Sequence, residues 1–499
     1  MQARIPPEII FLREAEAPTL QGRLAAAIVR AILETRAQPG TRLPSTRRLA
    51  AALGISRMTV TLVYQELVSQ GYLEALPRSG MAVATSVPHR RTDSNAVRQS
   101  LAPSPDWTEW LSQHRLPRRV IRKPAHWREF RFPFIYGQAD TTLFDHSAWR
   151  ECARQALGTR DFADLAADRY GADDPLLIDY ICSNTLPRRG INARPDEVLV
   201  TLGAQHALFM AVELLAGSGR LAVTEEPGYP DFAETLRRAN CPTAFMPVDD
   251  GGLDPTRLPG GARLVIVTPS HHIPTGSTMP LARRHELIAR AADQDFLIVE
   301  DDYDFEMSYL SPPAPALKSL DDVGRVIYLG SFSKSLFPGL RIGYMVGPAP
   351  LIAQARSLRS IILRQPPSHL QRITAYFLAR GHYDAHIVRL RRTMRTRRAV
   401  IEAALQDTPL QIAGAPSSGG SSVWVRAPDG TDSEALALHL YNDSVLIEPG
   451  APFFETPPKP CPYFRLGYGS ISESLIPDGI RLIAARVADK ARHTLHRNA

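Results

Sequence analysis

The chain has 499 residues, 44% apolar and 22% charged, with a formal charge of +7; that length calls for two or three domains rather than one core. No apolar run approaches the roughly 18 residues of a membrane span, so no membrane role is expected. Cys152, Cys182, Cys241 and Cys461 are scattered with no C-x-x-C pair, against a disulfide framework or a zinc site, and the start lacks the pattern of a secretory signal, so a cytoplasmic location is expected.

The charge is local. Residues 1 to 130 carry 19 Arg and Lys against 10 Asp and Glu, whereas the rest carries 39 against 41. Such an excess on one module is the footprint of an anionic polymer partner. Within it, Leu20, Leu24, Ala27, Ile28, Ala31 and Ile32 repeat at helical spacing, and Gln38-Pro39-Gly40 is expected to end that helix. Ser45 is placed to cap a second helix over residues 46–53, closed by Gly54, and Ser56 to cap a third beginning at Arg57. So short a turn between the two reads as a helix-turn-helix. Residues 72–84 alternate like a hairpin around Pro77-Arg78-Ser79-Gly80, which forms a wing. A recognition helix aims its first residues at base edges, which selects Arg57, Met58, Thr59 and Thr61, with Arg57 as the base reader and Ser56, at the cap, in the same DNA-binding set. Arg42, Ser45, Arg47, Arg78 and Ser79 suit phosphate contacts. From about Thr19 to Val83 the chain resembles the GntR family of winged-helix regulators, notably in Leu43-Pro44-Ser45, Gly54-Ile55-Ser56-Arg57, Gly71-Tyr72-Leu73 and Ser79-Gly80. The resemblance implies binding to operator DNA.

Residues 86–130 lose apolar periodicity and gain Pro88, Pro103, Pro105, Pro117 and Pro124, with basic runs at His89-Arg90-Arg91 and Arg118-Arg119. This is the composition of a tether, joining a DNA-binding domain at 1–85 to a second domain at 131–499.

Beyond Phe132, apolar strand-like runs alternate with amphipathic helical stretches, the pattern of an α/β domain with a mainly parallel sheet. In such sheets ligands sit at the carboxyl ends of strands. Val265-Ile266-Val267 runs into Thr268-Pro269-Ser270-His271-His272, Leu297-Ile298-Val299 into Glu300-Asp301-Asp302-Tyr303, and Ile327-Tyr328-Leu329 into Gly330-Ser331-Phe332-Ser333-Lys334. A desolvated lysine can attack an aldehyde, and its neighbours suit pyridoxal 5'-phosphate. Asp301 would keep the pyridine nitrogen protonated, and Tyr303 would donate to the ring's phenolic oxygen. Ser331, Ser333 and Arg341 match phosphate oxygens, Gly203-Ala204-Gln205 opens a helix whose N–H groups favour an anion, and Tyr229 can stack on the ring.

In this order the residues resemble the fold type I aminotransferases over about residues 132–490, including Pro338-Gly339-Leu340-Arg341-Ile342-Gly343-Tyr344 after the lysine. The resemblance implies a large part at about 165–350 and a small part from 131–164 and 351–499. It also implies that Tyr170 reaches the phosphate of a neighbouring subunit, hence a homodimer, and that Arg465 clamps a substrate carboxylate. Two departures stand out. Ile273 occupies the place where the enzymes usually keep an Asn on the ring oxygen, a contact that is either lost or taken over by His272. Asp173-Asp174-Pro175 replaces the usual glycine-rich turn, so a different substrate entrance is expected.

The two halves together, with Phe134-Ile135-Tyr136-Gly137-Gln138 and Glu225-Glu226-Pro227-Gly228-Tyr229-Pro230, resemble the MocR-type regulators over nearly the whole chain. That implies head-to-tail dimers and sensing of pyridoxal phosphate, or of a small amine or amino acid, through aldimine formation at Lys334. The alternative is a competent aminotransferase with an auxiliary winged helix; Ile273 favours the sensor.

Overall fold

The computed structural model divides into two compact units, residues 1–111 and 112–499. It describes residues 5–7, 10, 12, 17–34, 37–76, 80–85, 105–111, 118–169, 171–414 and 418–497, with side chains to 489. Among the described residues, no helix is long and apolar enough to cross a membrane.

In the first unit three helices, Leu20–Leu33, Thr46–Leu53 and Arg57–Ser69, precede a hairpin of Leu73–Leu76 and Gly80–Val83. Local chemistry sets their ends. Ser45 Oγ accepts from Arg48 N and Ser56 Oγ from Thr59 N, and Gly54 closes the second helix at φ +67. The first helix stops at Leu33, ahead of the expected Gln38-Pro39-Gly40 break. Ala37 turns back beneath it, its N–H donating to the Ala31 carbonyl at 3.0 Å. Leu24, Ile28, Leu49, Val60, Val63, Tyr64 and Leu67 form the core under the hairpin. The Tyr64 hydroxyl, buried among them, donates to the Pro44 carbonyl at 2.8 Å and so ties the recognition helix to the turn before its partner.

The second unit is built on an eight-stranded sheet in the spatial order Val198–Thr201, Gly343–Val346, Val326–Ser331, Leu297–Asp302, Ala262–Val267, Leu221–Glu226, Thr243–Asp249, Gly252–Leu253. Pairings from Val326–Ser331 across to Thr243–Asp249 are parallel; Gly343–Val346 runs antiparallel to both neighbours. Both faces are covered, which is why the strands read as unbroken apolar runs. A four-stranded antiparallel sheet of Gln411–Ile412, Ser422–Arg426, Tyr463–Gly467 and Glu448–Pro449 lies in the small part. The Ala349–Leu363 helix packs Ile352 and Ala355 against Leu199 and Met345 of the large sheet.

Two expectations about chain layout change here. Residues 118–130, read as tether, lie along the second unit: the Arg118 and Arg119 N–H groups donate to Glu234, Arg119 pairs with Glu455 at 2.8 Å, and His126 Nε2 lies 3.0 Å from the Tyr441 hydroxyl. Proline-rich composition signals only that a segment lacks regular structure, not that it is free. Asp173 and Asp174, expected to reshape an entrance, are buried anchors instead. Asp173 pairs with Arg359 at 2.6 Å and Arg356 at 2.9 Å, and Asp174 with Arg372 at 2.7 Å. Removing one partner of a buried pair strands the other charge. Asp173→Ala is therefore expected to cost about 3–5 kcal/mol, read as a lower denaturant midpoint of the second unit.

Candidate functional site

Because side chains alternate across a strand, the consecutive acids at the end of Leu297–Asp302 part company. Asp302 accepts from Arg189 Nε at 2.6 Å and the Tyr328 hydroxyl at 2.8 Å, inside the protein. Asp301 lines a cavity of about 410 Å³ at the carboxyl edge of the sheet. Around that cavity stand Ala204, Gln205, Tyr229, Tyr303, Ser331, Ser333, Lys334, Arg341 and Arg465, all expected from sequence, together with Val120, Ile121, Lys123, Tyr136 and Ile273.

Gly203, at φ +79, turns the chain from its strand into the Ala204–Leu215 helix. A Cβ there would sit 3.2 Å from the Arg341 guanidinium carbon, so the glycine lets Arg341 lie over the helix start, where its Nη2 donates to the Leu202 carbonyl. Ser331 Oγ accepts from Ser333 N at 3.1 Å, curling the chain after the strand so that Lys334 returns to the cavity. Lys334 Nζ lies 4.4 Å from the centre of the Tyr136 ring. Burial first, then Lys123 and Arg465, bring its pKa down to about 8. Burial, with Asp302 and Asp304 adding repulsion, pushes Asp301 up to about 8.

Two buried polar atoms on this wall lack a partner among the described residues: Asp301 Oδ1 and Ser333 Oγ. Buried polar groups are nearly always satisfied, so these mark the outline of a bound polar group. Pyridoxal 5'-phosphate fits the set: an acceptor for a ring N–H, a hydroxyl, an arginine and a helix start for the phosphate, and a lysine whose amine gives up its proton more readily than an exposed lysine's. When bound it supplies an aldehyde carbon that condenses with primary amines and an electron-poor ring.

Other expected residues stand differently. The Tyr229 hydroxyl donates to Asp231 at 2.8 Å, and that of Tyr303 to the His271 carbonyl at 3.1 Å. His272 does not line the cavity; Ile273 does. The His272 ring packs inward, with Nδ1 2.7 Å from Thr275 Oγ1 and Nε2 3.7 Å from Glu225, and burial drops its pKa to about 3. A neutral ring turned that way does not replace the missing Asn. Arg465 is not a free clamp: its Nε donates to Glu448 at 2.7 Å across the antiparallel pairing that sets the two residues opposite each other. Burial alone would raise the Glu448 pKa, but Arg465 and Lys123 outweigh it and hold it below the usual range. Sequence reasoning missed Lys123, Tyr136 and Glu448. The acid that closes the apolar run Val445-Leu446-Ile447 and the Phe134-Ile135-Tyr136-Gly137-Gln138 motif were the local signals. Tyr170 lies outside the described residues.

On the winged helix, Ser45, Arg47, Ser56 and Arg57 are exposed, and Arg42, Thr59 and Thr61 half-buried. The Ser45 and Ser56 hydroxyls serve as helix caps, and Arg57 Nε donates to Thr46 Oγ1 at 3.3 Å, which steadies it at the helix start. Arg78 and Ser79 lie outside the described residues.

A winged helix-turn-helix carried on the same chain as a cofactor cavity of this make-up defines a DNA-binding regulator with a pyridoxal-phosphate fold. Residues 20–83 match the gntR family of bacterial regulatory proteins and residues 177–476 match aminotransferase class I and II. The chain is 49% identical to the HTH-type transcriptional regulator TauR of Rhodobacter capsulatus, over 96% of this chain and 99% of that one. It is 32% identical to the probable rhizopine catabolism regulatory protein MocR of Rhizobium meliloti, over 95% and 94%. The chain belongs to the MocR-type family of GntR transcription regulators. The kynurenine aminotransferase of Pyrococcus horikoshii shares the fold of the second unit, with a TM-score of 0.66 at 23% identity over 80% of this chain and 98% of that one.

Asp301 yields a test in the protein freed of cofactor. Its folded pKa lies above its ordinary 3.8, at about 8. The folded state thus holds a proton the unfolded state has released, and stability falls as pH rises through that window. Asp301→Asn removes the cost of ionising the buried acid. The cofactor-free variant is expected to melt at a higher temperature than cofactor-free wild type at pH 8, the gap closing toward pH 4, while its affinity for pyridoxal phosphate falls.

Proposed function

We propose that the second unit senses a small amine or amino acid at Lys334 and that this event alters how the winged helix occupies its operator. The observation that carries the reading is the shared wall of Asp301 and Lys334, an unpartnered buried acid and a lysine with a lowered pKa on one cavity. On this reading Asp301 holds the ring nitrogen, Tyr229 covers the ring face and Tyr303 turns its hydroxyl to the ring oxygen. Arg341, Ser331, Ser333 and the Gly203-Ala204-Gln205 helix start grip the phosphate, because an arginine fork and N–H groups complement its oxygens. Lys334 carries the cofactor by its ε-amine. A homodimer arranged head-to-tail, with Tyr170 reaching the neighbouring subunit's phosphate, completes the site, and the protein works in the cytoplasm, beside the chromosome it regulates.

One observation favours a sensor over a transaminase: Ile273 puts no polar side chain into the cavity where the enzymes usually keep an Asn. An effector shifts an equilibrium only through different affinity for its two states, and release of a keto acid is not required for that. Lys334→Ala is expected to lose the yellow colour of the bound cofactor and the operator's response to amines, while retaining the wild-type fold by circular dichroism. Repeated turnover between an amino acid and a keto acid at an ordinary enzyme rate would instead favour the catalytic reading.

At the DNA end, Arg57 is the base reader, Thr59 and Thr61 lie along the same face, and Arg42, Ser45, Arg47, Ser56, Arg78 and Ser79 position the module on the backbone. A bidentate arginine contact to guanine carries about 1–3 kcal/mol of discrimination. Arg57→Ala is expected to abolish the footprint on the operator while leaving salt-sensitive, non-specific binding; an unchanged footprint would place the recognition register elsewhere on the helix.

A further inference from the structure

Residues 120–123, expected from sequence to be the end of a tether, reach the cofactor cavity instead. Val120, Ile121 and Lys123 are part of its wall, and Lys123 is the one basic side chain there that neither strand ends nor the small sheet supply. Its ammonium lies 3.1 Å from Glu448 Oε1 and also donates to the Tyr136 carbonyl. Glu448 Oε2 holds Arg465 Nε at 2.7 Å, and its Oε1 accepts from Tyr136 N at 3.2 Å. One buried carboxylate thus lies between two cations, Lys123 and Arg465. Asp304 is engaged by His271 at 2.9 Å, and Asp301 faces the pyridine end of the cofactor on the reading above.

The spacing from the reactive lysine is short. A Cβ built on Gly137, which stands at φ +75, would lie 2.7 Å from Lys334 Nζ and 3.8 Å from Lys123 Nζ. The two nitrogens are therefore no farther apart than those two lengths laid end to end. The Arg465 guanidinium sits 4.2 Å from the centre of the Tyr136 ring that Lys334 approaches at 4.4 Å. A ligand whose amine reaches the Lys334 position can place an acidic head between Lys123 and Arg465 if about two or three carbons separate its ends, bonds being about 1.5 Å each. Because Glu448 occupies Arg465 Nε, the head takes separate donors from two side chains rather than a single guanidinium fork.

We propose that Lys123 is a specificity-determining residue of the effector site, which with Arg465 binds the acidic head of a short primary amine and so makes the end of the expected tether a ligand contact. This rests on the sensor reading and deepens it. The ligand class is a zwitterion with a terminal amine and an oxyanion head; an uncharged alkylamine of equal length gains nothing from Lys123.

The full-length protein loaded with pyridoxal phosphate is titrated with 3-aminopropanoate, its sulfonate and phosphonate counterparts and propylamine, following the cofactor's visible absorption and, in parallel, the heat of binding. Wild type is expected to bind at least one acidic amine at least tenfold more tightly than propylamine, and the three heads separate the kinds of oxyanion. Lys123→Met is expected to lose about tenfold or more of the preference for the acidic amine over propylamine, and Lys123→Arg to restore most of that preference. Equal losses for propylamine and the acidic amine would mean a merely structural lysine and overturn the proposal. So would a Lys123→Met variant with undiminished preference for the acidic amine, in which case the sensor reading stands. No spectral or thermal response of wild type to any of the four amines would remove both.

Discussion

A parallel sheet covered on both faces can place polar side chains only where its strands end, and the second unit is organised by that constraint. Ala262–Val267, Leu297–Asp302 and Val326–Ser331 are buried along their lengths, so the acids, hydroxyls and lysine that follow from them collect on one edge. The antiparallel Gly343–Val346 strand starts at that same edge, which is how Arg341, seven residues beyond Lys334 in the chain, comes to face the same cavity. The cost is a crowd of buried acids. Glu225, Glu300 and Glu306 are each pushed up to about 7 by burial, and the network of Arg189, Arg284 and Tyr383 around the last two supplies part of the compensation.

What sequence made legible was whatever rests on neighbours. Ser45, Gly54 and Ser56 act within one helical turn, so caps and turn could be placed to the residue, and strand-end motifs could be read because an apolar run and its polar sequel are contiguous. Contacts across long separations left little trace. Asp173 meets Arg359 only after the chain has built most of the sheet, and Lys123 meets Glu448 from the far end of the small part. His272 illustrates a third limit: adjacent residues in a turn point in different directions, and a shift by one position decided that an isoleucine rather than an imidazole meets the cavity.

Glu448 changes the meaning of Arg465. In the resemblance to aminotransferases the arginine is a waiting clamp; in this chain it is neutralised before any ligand arrives, across a strand pairing that fixes both partners. A buried pair of this kind adds little net stability, yet it keeps a guanidinium oriented beside a dry aromatic wall of Tyr136 and Phe453. On the proposed reading, an incoming anion shares the guanidinium with an acid that cannot leave, which filters weakly held anions from those also anchored through their amine.

The packing of residues 118–123 against the second unit carries a mechanical consequence. A segment that is both wall and leash cannot be pulled without reshaping the wall, and coupling free energies are reciprocal. On the proposed reading, the stretch imposed when the winged helices grip two half-sites returns to the cavity through Val120 and Lys123 as an altered hold on the ligand. On that same reading, the spacing of the operator becomes one of the terms that set how much amine is needed before the regulator responds.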